Sequence, residues 1–507
     1  MVSAAVALGL SAVLLVGFGA VGAWYARGRL GSVEDFITAR NSVGGGALTA
    51  TIVASSMGAW ILFSPAEAGA AFGGITAVFG YAAGSALALA AYALVGPRIR
   101  RLLPEGHSLT EYAHARYGGA MYAYVLVVTV SYMFVFLAAE FTGVALALSL
   151  LAGVPPWQTA ALVGGTVFAY TAYGGLRASV TTDVLQALFI LPLFVVAVVA
   201  TFVAVGGPVE AHAAVAASRP DLLALGSLSG LRFGVYVVVA IVGAEMLNQA
   251  WWQRVYAARD ERTLRRSFGL SALAVLPVIV LVGLFGPLAA GLGLVSAPAD
   301  ASVALFLVAE EALPSWAVLA FVLLAVLLVA SSADTLFNAI ASVITADVPR
   351  LLDVDERRLT AVARLFTAVV ALAATIVGAQ GYSVLTLFLL ADLLASATFV
   401  PLLLGLYAPK ASSAGALGGS ALGLAAGLAF FPPARGVLSI PALPDPSFLA
   451  SFLAAAGVSA LVSLAAARAN DEEYDLSRLA RDVRRFDDSA DGALADGGPS
   501  RSADSEK

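Results

Sequence analysis

The sequence predicts an all-α polytopic membrane protein with about 13 transmembrane helices. Of its 507 residues 60% are apolar and only 12% are charged, against roughly a half and a quarter in ordinary soluble proteins. The mean hydropathy is +0.91. Apolar runs of the length a bilayer requires, about 20 residues, recur along the whole chain. A soluble enzyme is excluded.

Runs bounded by charge or by Gly/Pro lie near residues 3–25, 47–71, 73–97, 119–149, 156–174, 181–205, 232–253, 268–294, 314–343, 361–379, 382–407, 412–432 and 447–468. No basic residue precedes the first run and Arg27 follows it, which reads as a retained helix and not as a cleaved leader. The second contains the small-residue stretch Ala54-Ser55-Ser56-Met57-Gly58-Ala59-Trp60. Transporters break helices at such places so that unwound carbonyls can face an ion, although small residues also serve close helix packing. The third run ends at Arg98, Arg100 and Arg101, and Arg177 parts the fifth from the sixth. The seventh has a matching weak point at Gly243-Ala244, followed by Glu245 and Asn248-Gln249. Basic residues from Arg254 to Arg266 part it from the eighth, and those from Arg350 to Arg364 part the ninth from the tenth. Lys410 and Arg435 mark the ends of the eleventh and twelfth.

With the N-terminus outside, 18 Arg and Lys of the short loops fall on the inner side and only Arg219, Arg232 and Arg435 on the outer. The positive-inside rule then predicts a multi-pass protein of the cell membrane with a cytoplasmic C-terminus. The tail is acidic, with 11 of the 33 Asp and Glu lying from Ala469 onward. Its start places Leu476, Leu479, Val483 and Phe486 at helical spacing among Arg478, Arg481, Arg484 and Arg485. This pattern fits a helix lying on the inner leaflet and equally a solvated helix capping the last span. Beyond Asp487 the composition is that of a disordered segment.

Cysteine is absent, which removes disulfides, thiol nucleophiles, iron–sulfur clusters and Cys-based zinc sites together. Three histidines leave little for haem, and a net charge of -5 does not favour nucleic acid. No nucleotide loop or nucleophile triad stands out, so neither enzymatic activity nor a cofactor is expected.

Residues that cost energy in a bilayer are the informative ones. Glu67, Glu140, Asp183, Glu245, Asp334 and Asp392 lie within or at the edges of spans, with no Lys or Arg near a span centre to pair with them. Such acids face protein or water and mark functional paths, and their excess points to a cation. Glu67 fits the outer membrane surface. Ser331-Ser332-Ala333-Asp334-Thr335 sets Ser331, Asp334 and Thr335 on one helix face, an oxygen-rich group suited to a hard cation. Hydroxyls that bond back to their own helix explain the serines but not the acid.

These residues resemble the sodium:solute symporter family through most of the chain. Asp35-Phe36 with Ala39-Arg40-Asn41-Ser42 is similar to the loop leading into its broken first core helix. Tyr173-Gly174-Gly175-Leu176-Arg177-Ala178-Ser179, with Thr182-Asp183 and Gln186, resembles its signature. Asn248-Gln249 with Gln253-Arg254 and Ala257-Ala258 resembles the end of the sixth core helix, and Ile344-Thr345-Ala346-Asp347 the end of the eighth. Gly405-Leu406-Tyr407 with Lys410 and Gly415-Ala416 resembles the second signature.

The resemblance implies two inverted five-helix repeats of LeuT type, residues 31–205 and 206–408. One helix precedes them (1–30), two follow (409–468), and a tail covers 469–507. It implies a sodium site from carbonyls of Ala54, Met57 and Leu328 with the hydroxyls of Ser331 and Ser332. A second cation site, present in some members, maps to Asp183, Ser331, Asp334 and Thr335. Asp334 stands there in place of a hydroxyl, so the site would carry excess negative charge and invite a proton. The positions that gate sugar in a sugar-transporting member are Ala244 and Glu245 here, which disfavours sugar. Solute contacts are expected from Ser56, Trp60, Glu245, Asn248 and Asp392, with Glu245 and Asp392 suited to an ammonium or amide group. Trp251 and Trp252 fit either a solute wall or an interfacial belt.

The expected function is sodium-coupled uptake, by alternating access, of a small polar solute such as proline or a urea-like compound. A proton-coupled transporter and a transporter-like solute sensor are the alternatives. Such sensors usually carry a large signalling domain, and ion-pumping respiratory subunits use intramembrane Lys and His relays that do not occur here.

Overall fold

The computed structural model describes residues 3–26, 39–295, 298–351, 356–435 and 444–483. Among them the regular structure is helical, apart from one isolated parallel bridge between Val43 and Ala258. The helices in chain order are α1 (Ala4–Ala26), α2 (Gly45–Ser55), α3 (Ala59–Ala71), α4 (Gly74–Leu102), α5 (Leu109–Tyr117), α6 (Gly119–Ala152), α7 (Pro156–Ala204), α8 (Gly207–Ser218), α9 (Leu228–Leu247) and α10 (Gln249–Ala257). They continue with α11 (Glu261–Gly283), α12 (Phe285–Gly291), α13 (Ala304–Ala312), α14 (Ser315–Leu351), α15 (Glu356–Gly378), α16 (Val384–Ser396), α17 (Phe399–Tyr407), α18 (Ser413–Phe430), α19 (Phe448–Ala469) and α20 (Arg478–Asp482).

Many starts carry a short polar side chain that accepts a bond from an otherwise unpaired backbone N–H. Ser108 accepts from the amide of Glu111 at 3.0 Å, Asp260 from Thr263 at 2.7 Å, Ser383 from Thr386 at 3.1 Å and Ser447 from Ala450 at 3.1 Å. Where the apolar run is interrupted by small polar residues, the helix breaks. The pair α2 and α3 bends by 54° across Ser56-Met57-Gly58.

The second expected break is displaced by about one turn. Gly243 and Ala244 are fully helical, and the chain opens at Asn248, whose extended backbone (ψ 107°) and side chain cap α10 through the amide of Ala250 at 3.0 Å. Gly243 instead serves packing, since a Cβ there would lie 2.9 Å from the Cα of Ser396. A further break, at Ala397-Thr398 between α16 and α17, had no counterpart in the sequence reading.

Among the described residues nine helices are long and apolar enough to span a membrane, or eleven if each of two bent pairs is one span. The tenth expected span appears as a shorter apolar helix, Arg364–Gly378. The fifth and sixth merge into the helical run α7, without the loop expected near 175–180. Its 49 residues would measure about 74 Å if straight, more than twice the hydrocarbon thickness.

The polar tail start docks on protein. Leu479 and Val483 are buried, Tyr474 donates to the carbonyl of Ala115 at 2.9 Å, and the Arg116 guanidinium stacks over the Tyr474 ring at 4.4 Å. The apolar stripe thus faces the protein and not a leaflet. Arg484, Arg485, Phe486 and the acidic remainder lie outside the described residues.

Helix contact is closest where α12 crosses α3. A Cβ at Gly286 would fall 1.9 Å from the carbonyl oxygen of Ala66 and 2.6 Å from the amide of Ala70. Because the obstacle is backbone, Gly286→Ala is expected to separate the two helices and cost about 1–3 kcal/mol. The readout is a lower melting temperature of the purified protein; unchanged melting would refute the contact.

Candidate substrate and cation sites

The two broken helix pairs meet at a cavity of about 50 Å³, room for about four waters. Ser55, Ser56 and Trp60 come from the α2–α3 break, and Glu245, Asn248 and Trp251 from the α9–α10 break. Phe136 on α6, Ser332 and Thr335 on α14, and Phe388 and Asp392 on α16 add to the wall. All five residues expected to contact solute, Ser56, Trp60, Glu245, Asn248 and Asp392, therefore lie on one cavity.

The Glu245 carboxylate accepts from the Asn248 amide at 3.0 Å and from the Trp251 indole N–H. Tyr92 donates to the Glu245 carbonyl at 2.9 Å, which ties the last turn of α9 to α4. Asp392 enters from α16 with Glu245 as its charged neighbour. Trp60 stacks on Tyr81 at 5.8 Å, and Phe136 meets Phe388 edge-on at 4.7 Å. Two carboxylates among aromatic faces suit a cationic or amide-bearing guest. Trp251 and Trp252 are buried, and Trp252 donates to the carbonyl of Met246 at 3.1 Å. An interfacial belt position is thereby overturned for both.

Beside the cavity the two expected sodium-site hydroxyls part company. Ser332 donates to Glu140 of α6 at 2.7 Å and lies 3.5 Å from the Leu328 carbonyl. Ser331 donates to Asp183 at 2.7 Å. Gly58 is pressed against the Ser332–Glu140 pair, for a Cβ there would sit 2.5 Å from the Ser332 hydroxyl and 2.2 Å from the Glu140 carboxylate. At the α2 terminus the Met57 amide donates to the Ala54 carbonyl at 3.1 Å. Carbonyl oxygens keep a second lone pair, so the Ala54 carbonyl at the break can still accept, and the Ser332–Glu140 pair adds hard oxygens beside Gly58. Glu140, one of the acids in the spans, supplies the carboxylate to which Ser332 donates.

The expectation that no basic residue pairs with the buried acids is wrong. Arg254, at the last turn of α10, is fully buried and forms an ion pair with Asp183 at 3.1 Å. The same terminal nitrogen reaches Ser55 at 2.6 Å, Thr51 at 3.2 Å and Thr335 at 3.2 Å. Thr51 also donates to Asp183 at 2.6 Å. Of the expected second cation site, Asp183, Ser331 and Thr335 thus meet around a guanidinium. Asp334 is a charged neighbour of the guanidinium, but its carboxylate accepts from Thr171 at 2.8 Å and from Asn338 at 2.9 Å. Thr51 and Ser55, one turn apart on α2, were not anticipated, although their spacing places both on one face. Glu67 is buried as well, accepting from Ser383 at 3.0 Å.

Two of the sequence motifs clamp each other. The loop before α2 bonds to the end of α10, with the Asn41 amide donating to the Tyr256 carbonyl at 3.0 Å and the Val43 amide to Ala257 at 2.9 Å. Arg40 reaches the carbonyls of Pro104 and Gly106 at 2.8 Å each and stacks over Tyr256 at 5.1 Å. Asp35-Phe36 and the side chains of Tyr173–Ser179, Thr182, Gln186 and Thr345–Asp347 lie outside the described residues.

Broken helices that converge on an aromatic-walled cavity lined by buried acids define the class of membrane transporters. The model of the sodium:solute symporter family matches residues 36–423, and the chain belongs to that family. It is 26% identical over 398 residues to a spermidine transporter of Candida albicans, covering 78% of this chain and 73% of that protein. It is 24% identical over 471 residues to a urea-proton symporter of Oryza sativa (83% of this chain, 65% of that one) and over 244 residues to a probable urea active transporter of Schizosaccharomyces pombe (46% and 37%). In structure it is similar to a Na+-coupled sialic acid symporter, with TM-score 0.72 at 16% identity over 93% of this chain and 98% of that one. A nucleobase-cation-symport-1 family transporter aligns with TM-score 0.58 at 15% identity over 90% and 100%. The fold is therefore that of the LeuT-type symporters.

Proposed function

We propose that this solute symporter imports a small nitrogen-rich solute, of polyamine or urea type, in symport with sodium. The carrying observation is the pair Glu245 and Asp392 on one aromatic-walled cavity between two helix breaks. Carboxylates accept from ammonium and amide N–H groups, and a cationic solute adds charge pairing that a neutral sugar lacks. The names of the spermidine and urea relatives favour these solutes over proline, the amino acid first expected. Residues 31–205 and 206–408 form the two repeats in this reading, the N-terminus faces outward and the host membrane is the cell membrane. Sodium would sit among the oxygens of Ala54, Met57, Leu328, Ser332 and Glu140. Each inward charge contributes about 2.3 kcal/mol per 100 mV.

The test is uptake into proteoliposomes of labelled spermidine, urea and proline, under an inward sodium gradient and, separately, an inward proton gradient. Sodium-driven accumulation of spermidine or urea, reduced at least about tenfold by Ser332→Ala, is the expected result. Accumulation driven by protons alone would replace the coupling ion, as the name of the rice relative suggests. Binding without net uptake would favour a solute sensor.

A further inference from the structure

The Arg254 cluster is built like an ion site with the ion attached to the chain. One guanidinium nitrogen lies within 3.2 Å of four oxygens, from Thr51, Ser55, Asp183 and Thr335. An arginine terminal nitrogen carries two hydrogens, so four linear hydrogen bonds are impossible. The arrangement is a cation inside an oxygen cage. Ser331 holds the other Asp183 oxygen at 2.7 Å, which fixes the carboxylate toward the guanidinium. Arg254 is fully buried and Asp183 has no exposed surface.

We propose that Arg254 is a tethered cation that fills the second cation position, so that Asp183 takes no mobile ion while the pair is closed. The charges fit: the guanidinium, 3.1 Å from Asp183, already supplies the positive charge that this carboxylate would otherwise draw from a mobile ion. The position also matters, because the cage joins α2 and α7 to α10 and α14. Arg254 sits five residues beyond Gln249, the first residue of α10 after the break. Any displacement of that half-helix moves the charge out of its cage.

The proposal rests on the symport reading for the place of the ion, yet its test is separate from uptake. Radioactive sodium binding and sodium-dependent melting, with potassium as control at equal ionic strength, are measured on purified wild type, Asp183→Asn, Arg254→Gln and the double variant. Arg254→Gln is expected to bind one sodium more than wild type, while Asp183→Asn and the double variant bind as many as wild type. Loss of a sodium in Asp183→Asn, or no gain in Arg254→Gln, overturns the proposal. Should Arg254→Gln fail to fold, the charge-neutral double variant decides: the wild-type number supports the tether and one fewer overturns it. If wild type binds no sodium at all, the sodium reading falls, while a sodium gained by Arg254→Gln still supports the tethered cation.

Discussion

Glu245→Gln is expected to weaken binding of a cationic solute about 10- to 100-fold. A hydrogen bond to a charged group contributes about 1.5–3 kcal/mol, and each 1.4 kcal/mol is about tenfold in affinity. Glutamine keeps the volume but removes the charge, and its carbonyl oxygen can stand where one Glu245 oxygen accepts from both the Asn248 amide and the Trp251 indole. The lost charge acts on the solute, whereas the weaker, neutral acceptor acts on the α9–α10 break whatever the solute. Comparing spermidine with neutral urea separates the two effects. Calorimetric affinities should fall further for spermidine than for urea, and Asp392→Asn should show the same bias. An equal loss for both solutes would mean that the carboxylate shapes the break and does not read charge.

The architecture was legible because bilayer solvation imposes long apolar runs, and those runs dominate this chain. The break after Ala54 was legible for a related reason, since small polar residues interrupt an otherwise apolar helix. Gly243 is the more conspicuous weak point in the sequence, about a turn before the break at Asn248, yet that glycine admits Ser396 and Phe399 of the adjacent helix segments. In the sequence Arg254 has the pattern of a loop charge, because it ends an apolar run. Only the folding of α10 back into the protein shows that it is interior. Asp334 was grouped with Ser331 and Thr335 by spacing, yet at about 100° per residue it lies at the edge of that face, and Thr171 claims it. Which acid meets which hydroxyl is decided by helix packing between distant segments, such as the 132 residues separating Thr51 from Asp183, and no local pattern encodes it.

The Asp183–Arg254 pair also predicts a stability pattern that is independent of any ion. Removing one partner of a buried ion pair strands the other charge and costs about 3–5 kcal/mol, whereas replacing both is often neutral. In choline, without sodium, Asp183→Asn and Arg254→Gln are each expected to lower the melting temperature strongly. Asp183→Asn leaves the guanidinium hydrogen-bonded to the hydroxyls of Thr51, Ser55 and Thr335 and to the Ala250 carbonyl, none of which carries charge. Arg254→Gln leaves a carboxylate whose partners are the hydroxyls of Thr51, Ser55 and Ser331, which can donate to it and soften the loss. The arginine deletion should therefore be the milder of the two, and the double variant should recover most of the loss. Additive single effects in the double-mutant cycle would show that the two charges do not stabilise each other. Sodium added to Arg254→Gln should then restore melting toward wild type, because a free cation can occupy the cage that the tether has left.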